Sequence, residues 1–416
     1  MRKSLLSVAP GNIFQAVKAQ RAEAEKAGIK IINLTIGQPS GPAIEEARIA
    51  AAHAVMSAEE SMHEYQDNGS PGVSNFARRF VQQHLETRLN SINNVGRLDF
   101  LPLPGIKPML DVVVKSLGTW ERDVLGRHRE ARVFTMTKPG YPTPAYACKA
   151  IVGINHFDAP MSQQNGFLFS PQDLESEALS ELEEGDMVML NFPENPTGII
   201  ATEEWLLQLC GYCERRGVRI FNDGAYHILN HSTQSVTLTD IALKFPGLNW
   251  VEAFSASKAG NFTGWRVAAM VGSSEFMGDI KRVKGDSDSG FVAFAAAGII
   301  HLFENHKDKI MAVRDLYEKR LYLVARILIN QGMRLAVKPE AGFFLLFDSP
   351  QRAFGQSIKD AAEFNSLMIQ HTGIAGVPFG KWIRYAICAT DVEAQKNEIG
   401  SGFEKAKVEY DSPPAI

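Results

Sequence analysis

The chain predicts an α/β protein built on a mainly parallel sheet covered on both faces. Short apolar runs alternate with longer amphipathic segments through its middle, and turns rich in glycine, proline and asparagine follow the ends of those runs. At 416 residues it also exceeds what one hydrophobic core serves, so a large domain with a smaller one attached is expected: 50–300 for the large, 1–49 with 301–416 for the small.

Pro10 to Gly28 carries a helical apolar stripe, followed by strand-like Ile29 to Leu34 and by Thr35-Ile36-Gly37, where Gly37 lets backbone approach a ligand. Helices are expected over Pro42 to Met56 and Val73 to Leu89, with a turn-rich loop from Tyr65 to Gly72 between them. Phe100 to Leu103 reads as a short strand, Pro104-Gly105 as a turn, and Ile106 to Leu117 as a helix with Pro108 near its start, where a missing N–H costs little. Further strands are expected over Ala131 to Met136, Gly153 to Phe157, Asp186 to Asn191, Val218 to Asn222 and Trp250 to Phe254, with helices over Gln172 to Leu182 and Thr202 to Arg216. Beyond them come an apolar helix from Phe291, a long helix over Lys307 to Gln331, and a second block with strands near Arg334 to Val337 and Gly342 to Phe347.

Composition narrows the function. A net charge of -4 from 43 basic and 47 acidic residues offers no positive field for nucleic acid. The ten-residue apolar run from Phe291 to Ile300 suits a buried helix rather than a membrane span. The charged opening Met1-Arg2-Lys3 mimics a signal peptide, but Pro10, Gly11 and Asn12 interrupt the apolar region, so a cytoplasmic protein is expected. Cys210 and Cys213 have redox or zinc spacing, yet they share a helical face with Leu206, which makes them core residues, and no metal site is expected. No Walker-type motif or Gly-x-Gly-x-x-Gly turn opens a helix, which weighs against P-loop and dinucleotide binding.

The stretch Ser255-Ala256-Ser257-Lys258 points to chemistry. Lys258 follows a buried strand, where desolvation and a nearby cation would lower its pKa and leave the neutral amine that Schiff-base formation needs. The hydroxyls of Ser255 and Ser257 and the guanidinium of Arg266 suit a phosphate dianion, and a glycine turn feeding a helix start at Gly105, Ile106 and Lys107 presents free N–H groups to an anion. Ligands of parallel sheets sit at strand carboxyl ends, and Tyr141, Asn195, Asp223 and Lys258 all fall there. Arg384, inside the apolar run Trp382 to Ile387, is either paired in the core or aimed at an acid.

Asn195-Pro196-Thr197-Gly198, Asp223-Gly224-Ala225-Tyr226, Ser255-Ala256-Ser257-Lys258 and Arg266, with Arg384 completing the set, closely resemble in order and spacing the signature of class I/II aminotransferases. These are the pyridoxal-phosphate enzymes of fold type I, and the similarity covers nearly the whole chain. It implies a mainly parallel seven-stranded sheet in the large domain, a smaller α+β domain, pyridoxal 5'-phosphate as cofactor, and a homodimer with sites at the interface. Residue by residue, it implies that Lys258 holds the cofactor and moves the α-proton, and that Asp223 faces the pyridine nitrogen. Asn195 and Tyr226 would bind the phenolic oxygen, with Tyr141 stacked on the ring. Gly105, Ile106, Lys107, Ser255, Ser257 and Arg266 surround the phosphate, and Arg384 grips the α-carboxylate, with Gly37 and Asn195 also at the substrate. Tyr65 corresponds to a phosphate-binding tyrosine supplied by the partner subunit, although its spacing from Gly69 and Gly72 departs from the family's.

The resemblance thus implies transfer of an amino group between an L-amino acid and a 2-oxo acid. Aspartate or glutamate comes first as substrate, because Lys107 matches a lysine that some members aim at a distal carboxylate. An aromatic or diaminopimelate aminotransferase, or a carbon-sulfur lyase on the same cofactor, is the alternative. A regulatory module that kept only the fold would be expected to lose Lys258 or gain a DNA-binding helix pair, and this chain shows neither.

Overall fold

The sheet is assembled from β1 (Leu98–Leu103), β2 (Arg132–Thr135), β3 (Asn155–Asp158), β4 (Met187–Leu190), β5 (Arg219–Gly224), β6 (Trp250–Ser255) and β7 (Ala268–Ser273), in a computed structural model that describes residues 13–66, 72–91, 97–118 and 131–411. The charged opening segment, the start of the helix expected from Pro10 and Asp67 to Pro71 of the turn-rich loop lie outside the described residues. The strand order is β1-β7-β6-β5-β4-β2-β3. β7 runs antiparallel to both neighbours, and the remaining pairs are parallel.

Every residue of β4 and β6 is buried, as parallel strands covered on both faces require. Alternate residues serve opposite layers. Val188, Leu190 and Ile220 join one apolar cluster, while Met187, Met189 and Phe221 join another across the sheet. Cys210 and Cys213, on the helix Glu203–Arg216, are buried in the first of these. That helix starts where the Thr202 hydroxyl accepts the Trp205 N–H and ends at Gly217 in the left-handed region.

A separate core gathers β8 (Phe344–Asp348), β9 (Val377–Phe379) and β10 (Trp382–Ala386), antiparallel in the order β9-β10-β8, against helices Lys307–Asn330, Ala361–Thr372 and Lys396–Ala406. Ile32–Asn33 pairs in parallel with Ile374–Ala375, which ties the beginning of the chain to its end.

Several expectations need correction. β7 is absent from the sequence reading because Ala268-Ala269-Met270-Val271-Gly272 has little β propensity; its small residues are set by the close approach of β6, whose Trp250 carbonyl a Cβ on Gly272 would strike. Arg334 to Val337 forms no strand: Leu335 makes one isolated bridge to Phe347 before Pro339 intervenes. The helix expected over Val73 to Leu89 is confined to Phe76–Gln82, and the strand over Ile29 to Leu34 to Ile32–Asn33.

Candidate active site

The carboxyl ends of β2, β4, β5 and β6 open on one edge of the sheet, and β1, which runs in their direction, delivers Gly105 to the same edge. There a small cleft is lined by Leu110, Met136, Tyr141, Pro144, Met189, Leu190, Asn191, Phe221 and Asp223. Tyr141 and Asp223 thus meet in one cavity although 82 residues separate them.

Asp223 is buried, and its Oδ1 accepts the Ala225 N–H at 3.1 Å. Burial raises its carboxyl to about 6, against the opposing pull of that hydrogen bond and of Lys258. Asn191 locks the neighbourhood: its Nδ2 donates to the Asp223 carbonyl at 2.9 Å, and its Oδ1 accepts the Asn195 N–H at 3.3 Å. One side chain therefore fixes the end of β5 relative to the turn that carries Asn195.

Lys258 lies past the end of β6. Its Nζ donates to the Gly37 carbonyl at 2.5 Å and stands 5.7 Å from the Tyr226 ring centroid and 5.8 Å from that of Phe343. Burial brings its amine down to about 8; Arg384 and Arg266 push the same way, while Cys388 and Asp223 oppose. A substantial neutral fraction near pH 8 is what a nucleophilic amine requires. Gly37 has no room for a side chain, since a Cβ would come within 2.8 Å of the Phe344 ring. Tyr226 is buried edge-on against Phe343 and Phe344, and burial raises its phenol.

Arg384, on β10, is only 2% exposed and crosses from the second core to the sheet edge. Its Nη1 donates to Asn195 Oδ1 at 2.8 Å and its Nη2 to the Thr35 carbonyl at 2.6 Å, while Nε has no partner among the described residues. Phe344, Phe14 and Phe379 surround the guanidinium at 4.3, 5.4 and 5.5 Å from their ring centroids. Desolvation there lowers its pKa to about 10 and strengthens any charge-assisted bond to an incoming carboxylate.

Gly105 has φ 90°, a conformation that favours glycine, and a Cβ there would collide with the Arg266 guanidinium. Ser255 and Ser257 are buried at the end of β6, just ahead of Lys258, and Ser255 Oγ accepts the Ser257 N–H at 3.1 Å. Ile106 is buried, whereas Lys107 points to solvent. Tyr65 stands apart from this constellation, 81% exposed on the surface of the single chain.

Sequence reasoning missed Asn191, Thr35, Phe14, Phe344 and Glu194. Asn191 had a legible signal in the spacing Asn191-Phe192-Pro193-Glu194-Asn195-Pro196. The role of Thr35 lies in its backbone carbonyl, which no residue type announces.

The chain belongs to the class I and II aminotransferases, whose family model matches residues 29–398. A protein named LL-diaminopimelate aminotransferase from Methanocaldococcus jannaschii is 28% identical over 404 residues, covering 95% of this chain and 89% of the relative. One of the same name from Syntrophobacter fumaroxidans is 27% identical over 377 residues, covering 90% and 89%. Among solved structures, substrate-bound BacF from Bacillus subtilis superposes with TM-score 0.81 at 18% identity over 99% of this chain and 100% of that one. The aspartate aminotransferase of Rhizobium meliloti gives 0.81 at 18%, over 98% and 99%. These likenesses make it a fold type I, pyridoxal-phosphate-dependent transaminase that uses amino acids and 2-oxo acids. No helix among the described residues is long and apolar enough to cross a membrane.

Proposed function

We propose that this transaminase acts on L-amino acids with a second carboxylate at the far end, with LL-diaminopimelate ahead of aspartate and glutamate. The observation that carries the reading is Arg384, a desolvated guanidinium at the sheet edge bonded to Asn195 and to the Thr35 carbonyl, with donor capacity left for an α-carboxylate. The names of the curated relatives favour diaminopimelate over the simpler acids, and solvent-facing Lys107 is available to a distal carboxylate. The rings of Phe14, Phe344 and Phe379 favour an aromatic amino acid as the second reading.

In this reading Lys258 anchors the cofactor and carries the α-proton between carbon atoms. Asp223 would face the pyridine nitrogen, Tyr141 would cover the ring, and Asn195 and Tyr226 would meet the phenolic oxygen. Gly105, Ile106, Lys107, Ser255, Ser257 and Arg266 hold the phosphate. When bound, the cofactor supplies the electron sink that makes the α-proton acidic. Asp223 keeps the nitrogen protonated, and Lys258, poised near neutrality, accepts and returns the proton.

Two organisational points are proposed with it. A division near residues 50 and 300 is supported by the two separate cores, with the helices Glu45–Val55 and Ala293–Asn305 that span those positions contributing Ala47, Ala296 and Ile299 to the larger one. A homodimer in which Tyr65 reaches the partner's cofactor phosphate is supported by the exposed Ile49, Val55, Met56 and Tyr65.

A donor and acceptor screen of half-reactions, followed by cofactor absorbance, tests the function. Diaminopimelate should convert the cofactor to its amine form fastest. Release of ammonia and a 2-oxo acid without that conversion would mean elimination, and a phenylalanine rate above all dicarboxylates would favour the second reading.

A further inference from the structure

Beside Asn195 in the sequence lies a carboxyl group for which the roles above have no use. Glu194 is 1% exposed, and its Oε2 accepts the Thr197 N–H at 2.8 Å and the Thr197 hydroxyl at 2.5 Å. Its Oε1 is buried with no partner among the described residues. The residue is held rigidly: the Glu194 carbonyl accepts the Gly198 N–H at 2.8 Å, its N–H donates to the Ile199 carbonyl at 3.0 Å, and Gly198 is pinned by Glu340 and Ala341. A buried carboxylate oxygen with nothing to bond is costly, so its retention calls for a reason.

Arg384 supplies one. It is the charged group that bears on Glu194, and Glu194 is the carboxyl group that bears on Arg384, alongside the neutral Tyr226 and Cys388. No direct ion pair joins the two; Asn195, next in sequence to Glu194, accepts the guanidinium hydrogen bond. Before substrate arrives, the buried cation thus has neutral hydrogen-bond partners and one acid within its field. A substrate carboxylate placed on Arg384 would be a second anion competing for the same charge in a desolvated site.

We propose that Glu194 is the built-in counter-charge of Arg384 and takes up a solvent proton when the substrate's α-carboxylate binds, so that acid and substrate exchange the role of anionic partner. The step balances as carboxylate plus proton giving carboxylic acid, with no other bond changed. Burial raises the Glu194 carboxyl to about 8, so the exchange operates near and above that pH, where the substrate-free enzyme still holds the carboxylate. Glu194 is a positioning residue, and the inference rests on the reading of Arg384 as the α-carboxylate site.

The test is calorimetric titration of the holoenzyme with succinate and with 3-phenylpropionate, carboxylates that lack an amino group, in buffers of differing ionisation enthalpy across pH 7 to 9.5. Cofactor absorbance, recorded in parallel, accounts for the cofactor's own protonation. Wild type should take up a few tenths of a proton near pH 8 beyond the cofactor's share, and its Kd should rise toward tenfold per pH unit above that. Glu194→Gln, which keeps an acceptor for Thr197, should abolish the extra uptake and flatten the rise. The proposal is overturned if wild type takes up no extra proton, a result that needs no variant, or if Glu194→Gln reproduces the wild-type uptake. Arg384→Gln separates the two levels: unchanged carboxylate affinity there overturns the Arg384 reading itself, whereas lost affinity with no Glu194-dependent uptake overturns only the proton exchange.

Discussion

Two buried acids on neighbouring strands, Asp223 on β5 and Glu252 on β6, are both raised by burial and differ in the hydrogen bonds that meet them there. Glu252 pairs in register with Asn222, and its carboxylate accepts hydrogen bonds from Asn222 Nδ2 at 2.8 Å, Leu238 N–H at 3.1 Å, and the Thr239 N–H and hydroxyl, each at 2.7 Å. Asp223, one residue further along, has a single donor among the described residues, the Ala225 N–H, and lines the cleft. A buried acid whose acceptors are all occupied holds structure together; one with acceptor capacity facing a cavity awaits a ligand. Glu194 falls between them, with one oxygen bonded and the other not.

The contrast breaks if exchanging the two acids' fates proves possible. Asp223→Ala should lower kcat/KM by three or more powers of ten, about 4 kcal/mol, because a pyridinium in a low-dielectric site loses its counter-ion. Its Tm should fall little, since one hydrogen bond to Ala225 is lost. Glu252→Ala should do the reverse, costing about 2–3 kcal/mol of stability by stranding buried donors while the surviving folded fraction keeps near-normal single-turnover rates. An Asp223→Ala enzyme with normal turnover, or a Glu252→Ala enzyme with unchanged Tm, would remove the distinction.

Acidity sharpens it. Burial raises Glu252 to about 7 despite its donors, so the folded state holds the proton over a range where the unfolded chain has released it. Its stabilising contribution is full below pH 4.5 and is lost as pH rises through about 7. Glu252→Gln should therefore reduce the decline of stability between those limits in urea titrations, and a slope identical to wild type would contradict the assignment.

At the substrate end the expected effects are smaller. Arg384→Ala should weaken every amino-acid substrate by about one to two powers of ten in kcat/KM, the 1.5–3 kcal/mol of a charge-assisted contact. Lys107→Ala should affect aspartate, glutamate and diaminopimelate more than phenylalanine. An unchanged ratio of acidic to aromatic turnover would leave Lys107 with the cofactor phosphate alone.

What the sequence made legible was whatever depends on residue type at strand ends. Lys258, Asp223, Asn195 and Tyr141 lie after or at the end of runs whose burial and β-branching mark them as strands, and those runs became β2, β4, β5 and β6. β7 was illegible because alanine and glycine there answer to a neighbouring backbone, a tertiary demand that overrides local preference. Arg384 was legible as an oddity in an apolar run, but its partners, Asn195 and the Thr35 carbonyl, lie 189 and 349 residues away in sequence. The unpartnered oxygen of Glu194 exists only in three dimensions.

Lys258, past the end of β6, is an amine that burial brings toward neutrality and on which the charge of Asp223 bears. Borohydride reduction of the holoenzyme, followed by proteolysis and mass mapping, tests its role most directly. A single pyridoxyl-modified peptide carrying its label on Lys258 is the expected result; a label on Lys107, or on any other lysine, would contradict the assignment.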